Sequence, residues 1–266
     1  MRKTFVIIFL IVLLVPFQKV SAQFYNGSHM TFGKNRVQYN EERVWSQFRF
    51  KDFDFIFYQD GRKITINAAK YATTALKEIS DKLSYKPENK IHFIVFNSLS
   101  EMKSSNIGLD NEILYNTGGV TNVVDNKVFL YFNGNYLNLE EQIRSGIARV
   151  ILNQMIYGEQ ISANIKNSTL MALPEWYLSG LQSYLAADWN TELDEKLRDA
   201  IVTGKFRKFN HLEGADATLA GHSVWRFIAN KYGGNMIPNI IYMAKVSRNV
   251  ENGFLYVLGI YFTNLI

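Results

Sequence analysis

The chain has 266 residues, of which 47% are hydrophobic and 20% are charged, values that are ordinary for a globular protein and exclude a disordered chain. It is long enough for one large domain or two small ones, each with its own core. The chain has no cysteine, which excludes disulfides, a thiol nucleophile and a lipid-anchored cysteine.

Residues 1–22 have the pattern of a secretory signal peptide. Two basic residues precede an apolar run over 5–17, and Val20-Ser21-Ala22 matches a small-residue cleavage site. The run is shorter than the roughly 20 apolar residues that span a bilayer, so we expect cleavage before Gln23 and no stable membrane span afterwards. The mature chain would carry 26 basic and 24 acidic residues, and this net charge of +2 gives no electrostatic support to nucleic-acid binding.

After an amino-terminal segment at 23–47, the sequence predicts a half that mixes strands with a helix. The segment 48–59 carries phenylalanines at alternate positions, which is the period of a strand, and a turn follows at Asp60-Gly61. Apolar residues at helical spacing predict a helix over 66–83, with Pro87 beyond its end. Short runs rich in β-branched and aromatic residues predict two more strands, at 91–97 and 126–133.

From residue 138 onward the patterns are almost wholly helical. Helices are predicted at 139–157, 170–187, 192–203, 220–232 and 235–246. No linker separates the two halves, so we expect one α+β domain over 48–266, a small mixed β-sheet at 48–137 followed by a helical half at 138–266. The apolar segment 251–266 allows two interpretations: a last helix docked into the core, or a domain that continues into further chain.

The helix at 139–157 has the spacing of a zinc-peptidase helix but not its ligands. Asn138 and Glu141 indicate a reciprocal cap at its start. Arg144 and Ala148 lie four residues apart, where such a helix places two zinc-binding histidines around a general-base glutamate. The five residues here are Arg-Ser-Gly-Ile-Ala, so both ligands and the base are missing.

The next predicted helix carries a family resemblance. Residues 173–186, LPEWYLSGLQSYLA, resemble the second helix of gluzincin-type metallopeptidases of the peptidase MA-like group, which have the zincin fold. The resemblance places Ser179, directly before Gly180, at the position of the glutamate that is the third zinc ligand in active members. It covers roughly 48–258, and it likens the strand at 126–133 to the edge strand that holds substrate backbone.

A second resemblance concerns the amino-terminal domain of large exported proteins of Gram-negative bacteria that continue into a TolB-like, WD40-type β-propeller. It is carried by three segments: QFYNGSHMTFGKNRVQY (23–39), NHLEGADATLAGHSVW (210–225) and SRNVENGFLYVLG (247–259). In that family the peptidase-like domain commonly lacks zinc ligands. The resemblance implies a location in the periplasm or at the envelope, with this domain preceding a propeller.

Other groups of potentially catalytic residues give little support to catalysis. The histidines are His29, His92, His211 and His222; no pair has metal-ligand spacing on one helix, and only His211 and His222 could meet in space. Neither Ser145 nor Ser179 lies in a Gly-x-Ser-x-Gly elbow, and the sequence indicates no base for either.

The sequence therefore predicts a non-catalytic exported pseudo-metallopeptidase domain, with no cofactor and no metal, that binds a protein or peptide partner in the cell envelope. Its candidate site is the degenerate cleft, formed by Arg144, Ser145, Ala148, Ser179, Tyr184 and His222. The Arg144 cation would suit a ligand carboxylate or a peptide carbonyl, or would pair with Glu140 or Glu141 on its own helix. The alternatives are an exported metallohydrolase with a displaced site and a structural domain that presents a propeller.

Overall fold

The computed structural model describes residues 43–105, 122–158 and 173–265. The predicted signal peptide, most of the predicted segment 23–47, and His29 lie outside these ranges. Within them the chain forms a small mixed sheet of five strands and eight α-helices. The prediction of a mixed first half and a helical second half is confirmed.

The strands belong to the first half of the chain. They are β1 (Trp45–Arg49), β2 (Phe53–Tyr58), β3 (Ile91–Phe96), β4 (Asn122–Val124) and β5 (Lys127–Tyr131). The segment 48–59, predicted as one strand, instead spans the end of β1 and all of β2, which pair as an antiparallel hairpin. The short strand β4 was not predicted.

The helices are α1 (Arg62–Leu83), α2 (Leu99–Ser104), α3 (Tyr136–Tyr157), α4 (Glu175–Ala186), α5 (Thr191–Val202), α6 (Gly214–Tyr232), α7 (Met236–Ser247) and α8 (Val250–Leu258). Short 3₁₀ turns occupy Phe209–His211 and Phe262–Asn264. Each long predicted helix is present, and its ends within the described ranges differ from the prediction by six residues at most; residues 170–172 of the helix predicted at 170–187 lie outside these ranges. In the described ranges no helix combines the length and the apolar character needed to cross a bilayer.

The strand order in the sheet is β1-β2-β3-β5-β4. Helix α1 connects β2 to β3, and this crossover makes the two strands parallel. Strand β5 is parallel to β3 on one side and antiparallel to β4 on the other. The comparison of 126–133 with a substrate-holding edge strand is therefore wrong for this sheet, because β5 is an interior strand and β4 lies at the edge.

Both faces of the sheet are buried. Phe53, Phe55 and Phe57 alternate along β2 as predicted and lie in the main core on the face of the sheet that packs against α1. Helix α1 approaches closely because its buried stripe is made of alanines before it ends in Ile79 and Leu83. Helix α3 lies close to β5 at Gly146, where a Cβ atom would be 2.3 Å from a methyl carbon of Val128. The opposite face packs a smaller cluster that includes Phe96, Met102 and Phe129.

The helical half is built around a close crossing of α4 and α6. A Cβ atom on Gly180 would lie 2.3 Å from the Cα atom of Gly221, so the two backbones are in direct contact. An aromatic cluster fills the space beside this crossing, with its members contributed by α4, α6, α8 and the final turn: Trp176, Tyr177, Trp225, Phe254 and Phe262. The interpretation of the segment after residue 250 as a helix docked into the core is confirmed for α8.

Candidate functional site

A large cleft, here called the main cleft, lies between the two halves of the chain. Its walls are the end of α1, the start of α3, the α4–α5 connection, one face of α5 and the start of α6, and its volume is about 1090 Å³. Seven acidic residues line it: Glu78, Glu140, Glu141, Asp188, Glu192, Asp199 and Asp216. Four cations line it as well: Lys82, Arg144, Lys196 and Lys205. The lining is therefore acidic overall.

Arg144 lies in the wall of the main cleft, where it ties three helices together. Its Nε atom donates to the backbone carbonyl of Ala186 at 3.0 Å, and its Nη1 atom donates to Glu78 Oε2 at 2.8 Å. Of the two predicted roles, a ligand contact or an ion pair with Glu140 or Glu141, the structure shows an ion pair, but the acid is Glu78 of α1 and not one on the same helix.

The start of α3 is held by contacts that differ from the predicted cap. Asn135, not Asn138, is the N-cap residue, and its side chain accepts from the backbone N–H of Leu137 at 2.9 Å. Gln142 hydrogen-bonds both backbone groups of Tyr131, at 3.1 and 3.0 Å, and also donates to Asn138 Oδ1 at 2.7 Å. These contacts fix α3 to the end of β5, and α3 in turn carries Arg144.

The next two candidate residues on α3 are buried in the protein. Ser145 is 1% exposed, and its hydroxyl and carbonyl oxygens accept from Gln182 Nε2 at 2.7 and 3.3 Å. Ala148 is fully buried in the main core. Ser145 therefore joins α3 to α4 through Gln182.

Ser179 and Gly180 have separate structural tasks. The Ser179 hydroxyl donates to the carbonyl of Glu175 on its own helix at 2.7 Å. Gly180 allows the close approach to α6 described above. The Glu175 side chain lies one turn earlier and accepts from the backbone N–H of Gly214 at 2.9 Å, where α6 begins. Of the Ser-Gly pair, the glycine therefore has a packing role that needs no metal.

His222 is a buried histidine with its own contacts. It is 1% exposed, and its Nδ1 atom lies 2.9 Å from the Ser183 hydroxyl. The rings of Trp189 and Tyr184 pack edge-on against it, with centroid separations of 5.1 and 5.9 Å. Burial, together with the nearby Arg226 cation, lowers the pKa of His222 to about 4, against the opposing effect of Asp188. The imidazole is therefore neutral at physiological pH.

The six predicted site residues do not line one cleft together. Arg144 lines the main cleft, Tyr184 and His222 contact each other, and the two serines and Ala148 are engaged within or between helices. His211 is exposed in a 3₁₀ turn. In the described part of the chain, no group of three or more histidine, aspartate and glutamate residues is arranged to hold a metal ion.

Sequence reasoning did not bring the acidic residues of the main cleft together in one site, because they come from four helices and the α4–α5 connection. Three cleft cations are in ion pairs, Arg144 with Glu78, Lys196 with Glu192 and Lys205 with Asp216. The fourth, Lys82, lies 5.7 Å from the centre of the Tyr184 ring. Four acids of the cleft have no basic partner within 4.0 Å among the described residues: Glu140, Glu141, Asp188 and Asp199. Burial and the neighbouring Glu140 raise the pKa of Glu141.

No protein-family model and no curated protein matches the chain. The fold and the cleft together define a mixed α/β protein in which an acidic cleft lies between a sheet half and a helical half. Chemically, such a cleft can attract and orient cationic groups, since uncompensated carboxylates at a partly enclosed surface favour a positive ligand.

Proposed function

We propose that the chain is a non-catalytic, exported domain of the gluzincin type that binds a protein or peptide segment in its main cleft. The non-catalytic part of the proposal is supported by the residues that stand at the positions of the peptidase residues in the family resemblance. The guanidinium of Arg144 holds α1 and α4, Ser145 accepts from Gln182, Ala148 fills the core and Ser179 bonds its own helix. Each of the four positions thus has a contact that supports the fold rather than a reaction.

The chemical class of the ligand follows from the main cleft. Four carboxylates without a basic partner in a cleft of about 1090 Å³ favour a segment that carries lysine or arginine side chains. Four helices, α1, α3, α5 and α6, contribute to the walls of the cleft, so an extended segment of several residues could lie along it. This acidic lining is the observation that carries the proposal.

Two measurements on the purified protein test it. In the first, the protein is exposed to zinc, dialysed and analysed for metal; we expect no retained zinc. One zinc ion per chain would contradict the non-catalytic assignment and would direct attention to His211 and His222. In the second, a fluorescent peptide of about ten residues that alternates lysine and glycine is titrated by anisotropy, with an expected Kd on the order of 10 µM at low salt.

The peptide measurement has a matched pair of variants. Glu140→Gln with Glu141→Gln removes two acids from the main cleft, and we expect it to weaken peptide binding about tenfold. Glu195→Gln with Glu213→Gln removes two exposed acids that do not line the cleft, so it changes the net charge equally. Equal loss of affinity in both double variants would reveal non-specific attraction and would overturn the cleft as the binding site. Mass spectrometry should find the peptide intact after incubation with the zinc-exposed protein.

A further inference from the structure

A second groove, here called the α5–α6 groove, lies on the other face of α5. It runs between α5, the turn at 204–209 and the second half of α6, and its volume is about 1080 Å³. Three apolar side chains that line it are exposed to a degree unusual for their type: Ile201 at 62%, Val202 at 81% and Phe227 at 42%. Exposed apolar residues that are contiguous, unlike those scattered singly over a surface, mark an interaction site.

The charge of the α5–α6 groove is opposite to that of the main cleft. Arg207, Arg226 and Lys231 line it, and none of its lining residues is acidic. Among the described residues, none of these three cations has a carboxylate within 4.0 Å; Arg226 lies over the Trp189 ring at 5.1 Å and Lys231 over the Phe227 ring at 5.1 Å. The groove therefore combines exposed apolar side chains with cations available to an anionic partner.

We propose that the α5–α6 groove docks an acidic amphipathic helix of a partner protein. Two helices with apolar residues between them form the kind of groove that accepts the apolar face of a third helix. The cations are distributed along the rim: Arg226 and Lys231 are about 7.5 Å apart along the axis of α6, and Arg207 lies in the turn that follows α5. Carboxylates spaced along a docked helix can meet all three cations.

This distribution favours a helix over a fatty acid or a lipid. A single carboxylate head group can neutralise one cation and would leave the others facing apolar chain. A partner helix also suits the exposed apolar residues, because Leu197 and Ile201 are four apart on α5 and present one face to the groove. The inference is independent of the proposed function, since it concerns a different surface and a ligand of opposite charge.

The test uses a designed probe and the purified protein. The probe is a fluorescent helical peptide of about 18 residues, with leucines at helical spacing on one face and glutamates on the other. We expect it to bind with a Kd on the order of 10 µM, and we expect a scrambled peptide of the same composition, which lacks the apolar face, to bind at least about tenfold more weakly. Binding of both peptides with equal affinity would reduce the interaction to general electrostatics and would overturn the proposal.

Variants locate the binding. Ile201→Asp, at a side chain too exposed to be needed for folding, should weaken probe binding about tenfold, whereas Val246→Asp, 59% exposed on α7 and outside the groove, should not. Arg207→Gln with Lys231→Gln should also weaken it, in contrast to Lys63→Gln with Lys70→Gln on α1. Unchanged binding in the groove variants would overturn the proposal. Binding to vesicles of equal phosphatidylglycerol and phosphatidylcholine, without binding to the helical peptide, would identify a lipid surface instead.

Discussion

His222 shows how one side chain of the predicted site is used by the fold. His222 is one of the predicted site residues, which suggests a role in ligand binding, but its imidazole is enclosed by Ser183, Trp189 and Tyr184 and is 1% exposed. Burial favours the neutral form, because a proton would add a buried cation close to Arg226. Asp188 opposes this effect on the pKa, but its side chain is exposed.

The pH dependence of stability follows from that environment. With a pKa of about 4 in the folded chain and an ordinary value near 6.5 in the unfolded chain, His222 takes up a proton first in the unfolded state. It therefore has no effect on stability above pH 7 and lowers the free energy of unfolding as the pH falls from 6.5 to 4, by up to about 3 kcal/mol.

His222→Asn keeps a hydrogen-bonding group near Ser183 and cannot be protonated in this range. We expect urea denaturation to show that the variant loses less stability than the wild type between pH 7.5 and pH 4.5, although it is less stable at pH 7.5 because the smaller side chain leaves a gap. Parallel pH profiles for the two proteins would show that the pKa of the imidazole is the same in the folded and the unfolded chain, and would contradict the lowered pKa of His222.

At the scale of elements, the contact between α4 and α6 depends on two glycines. A Cβ atom on Gly180 or on Gly221 would lie within 2.9 Å of the backbone of the other helix, so the helices must separate to accept alanine. Gly180→Ala or Gly221→Ala should therefore lower the free energy of unfolding by about 3 kcal/mol, although alanine favours the helix itself.

Gly234→Ala is the matched control, since nothing lies within 4 Å of a Cβ atom there. Chemical denaturation of the three variants measures the difference. If Gly180→Ala were as stable as the wild type, the close crossing, and with it the packing role assigned to Gly180, would be wrong.

The contacts of Arg144 form a second connection between elements, and they join the sheet half to the helical half. Arg144 on α3 contacts Glu78 on α1 and the end of α4, and its side chain is 17% exposed while that of Glu78 is 46% exposed. Because the carboxylate is half exposed, the pair itself should be worth only about 0.5–1 kcal/mol.

A double-mutant cycle with Arg144→Met and Glu78→Gln measures that coupling in the free energy of unfolding. We expect Arg144→Met to cost more than Glu78→Gln, since it also leaves the Ala186 carbonyl without its donor. A coupling of zero, with equal single effects, would mean that Arg144 is free to meet a ligand.

These two connections show what the sequence could predict and what it could not. Periodicity located the long helices and three of the strands, because side-chain patterns along one element are local. The sequence does not predict the Glu78–Arg144 pair, because 66 residues separate its partners. Glu140 and Glu141 lie on the same helix as Arg144, so sequence spacing favours them as partners. The sequence predicts that α3 starts at Asn138, because Asn138 and Glu141 match the pattern of a capping box. The observed N-cap residue is Asn135, which caps the helix through its own side chain and is not part of such a pattern. The acidic main cleft was missed for the same reason, since its residues come from separate elements.

For the molecule as a whole, α5 separates two surfaces of opposite charge. Lys196 and Asp199 face the main cleft with its excess of acids, and Leu197 and Ile201 face the apolar, cationic α5–α6 groove. Only Leu193 and Ala200 of this helix are buried. A helix that uses most of its surface to line two grooves contributes little to the core, which is consistent with a role in binding.

Carboxylates that lie in a binding cleft without a basic partner should lower the free energy of unfolding. A substitution of Glu141 tests this expectation. Burial and Glu140 raise its pKa, so its charged form is disfavoured in the folded chain at neutral pH and the penalty disappears as the pH falls and the group takes up a proton. Glu141→Gln should therefore raise the free energy of unfolding at pH 7, by about 0.5 kcal/mol after screening, and should have no such effect near pH 4.

The same variant should weaken binding of the lysine-glycine peptide, because it removes a cleft charge. A gain in stability together with a loss of affinity would indicate that the charge is retained for the ligand rather than for the fold. Urea denaturation at the two pH values and anisotropy at pH 7 measure both quantities on one preparation. A variant that is less stable at pH 7 and binds the peptide as well as the wild type would instead assign Glu141 a structural role and exclude it from the carboxylates that bind a cationic ligand in the main cleft.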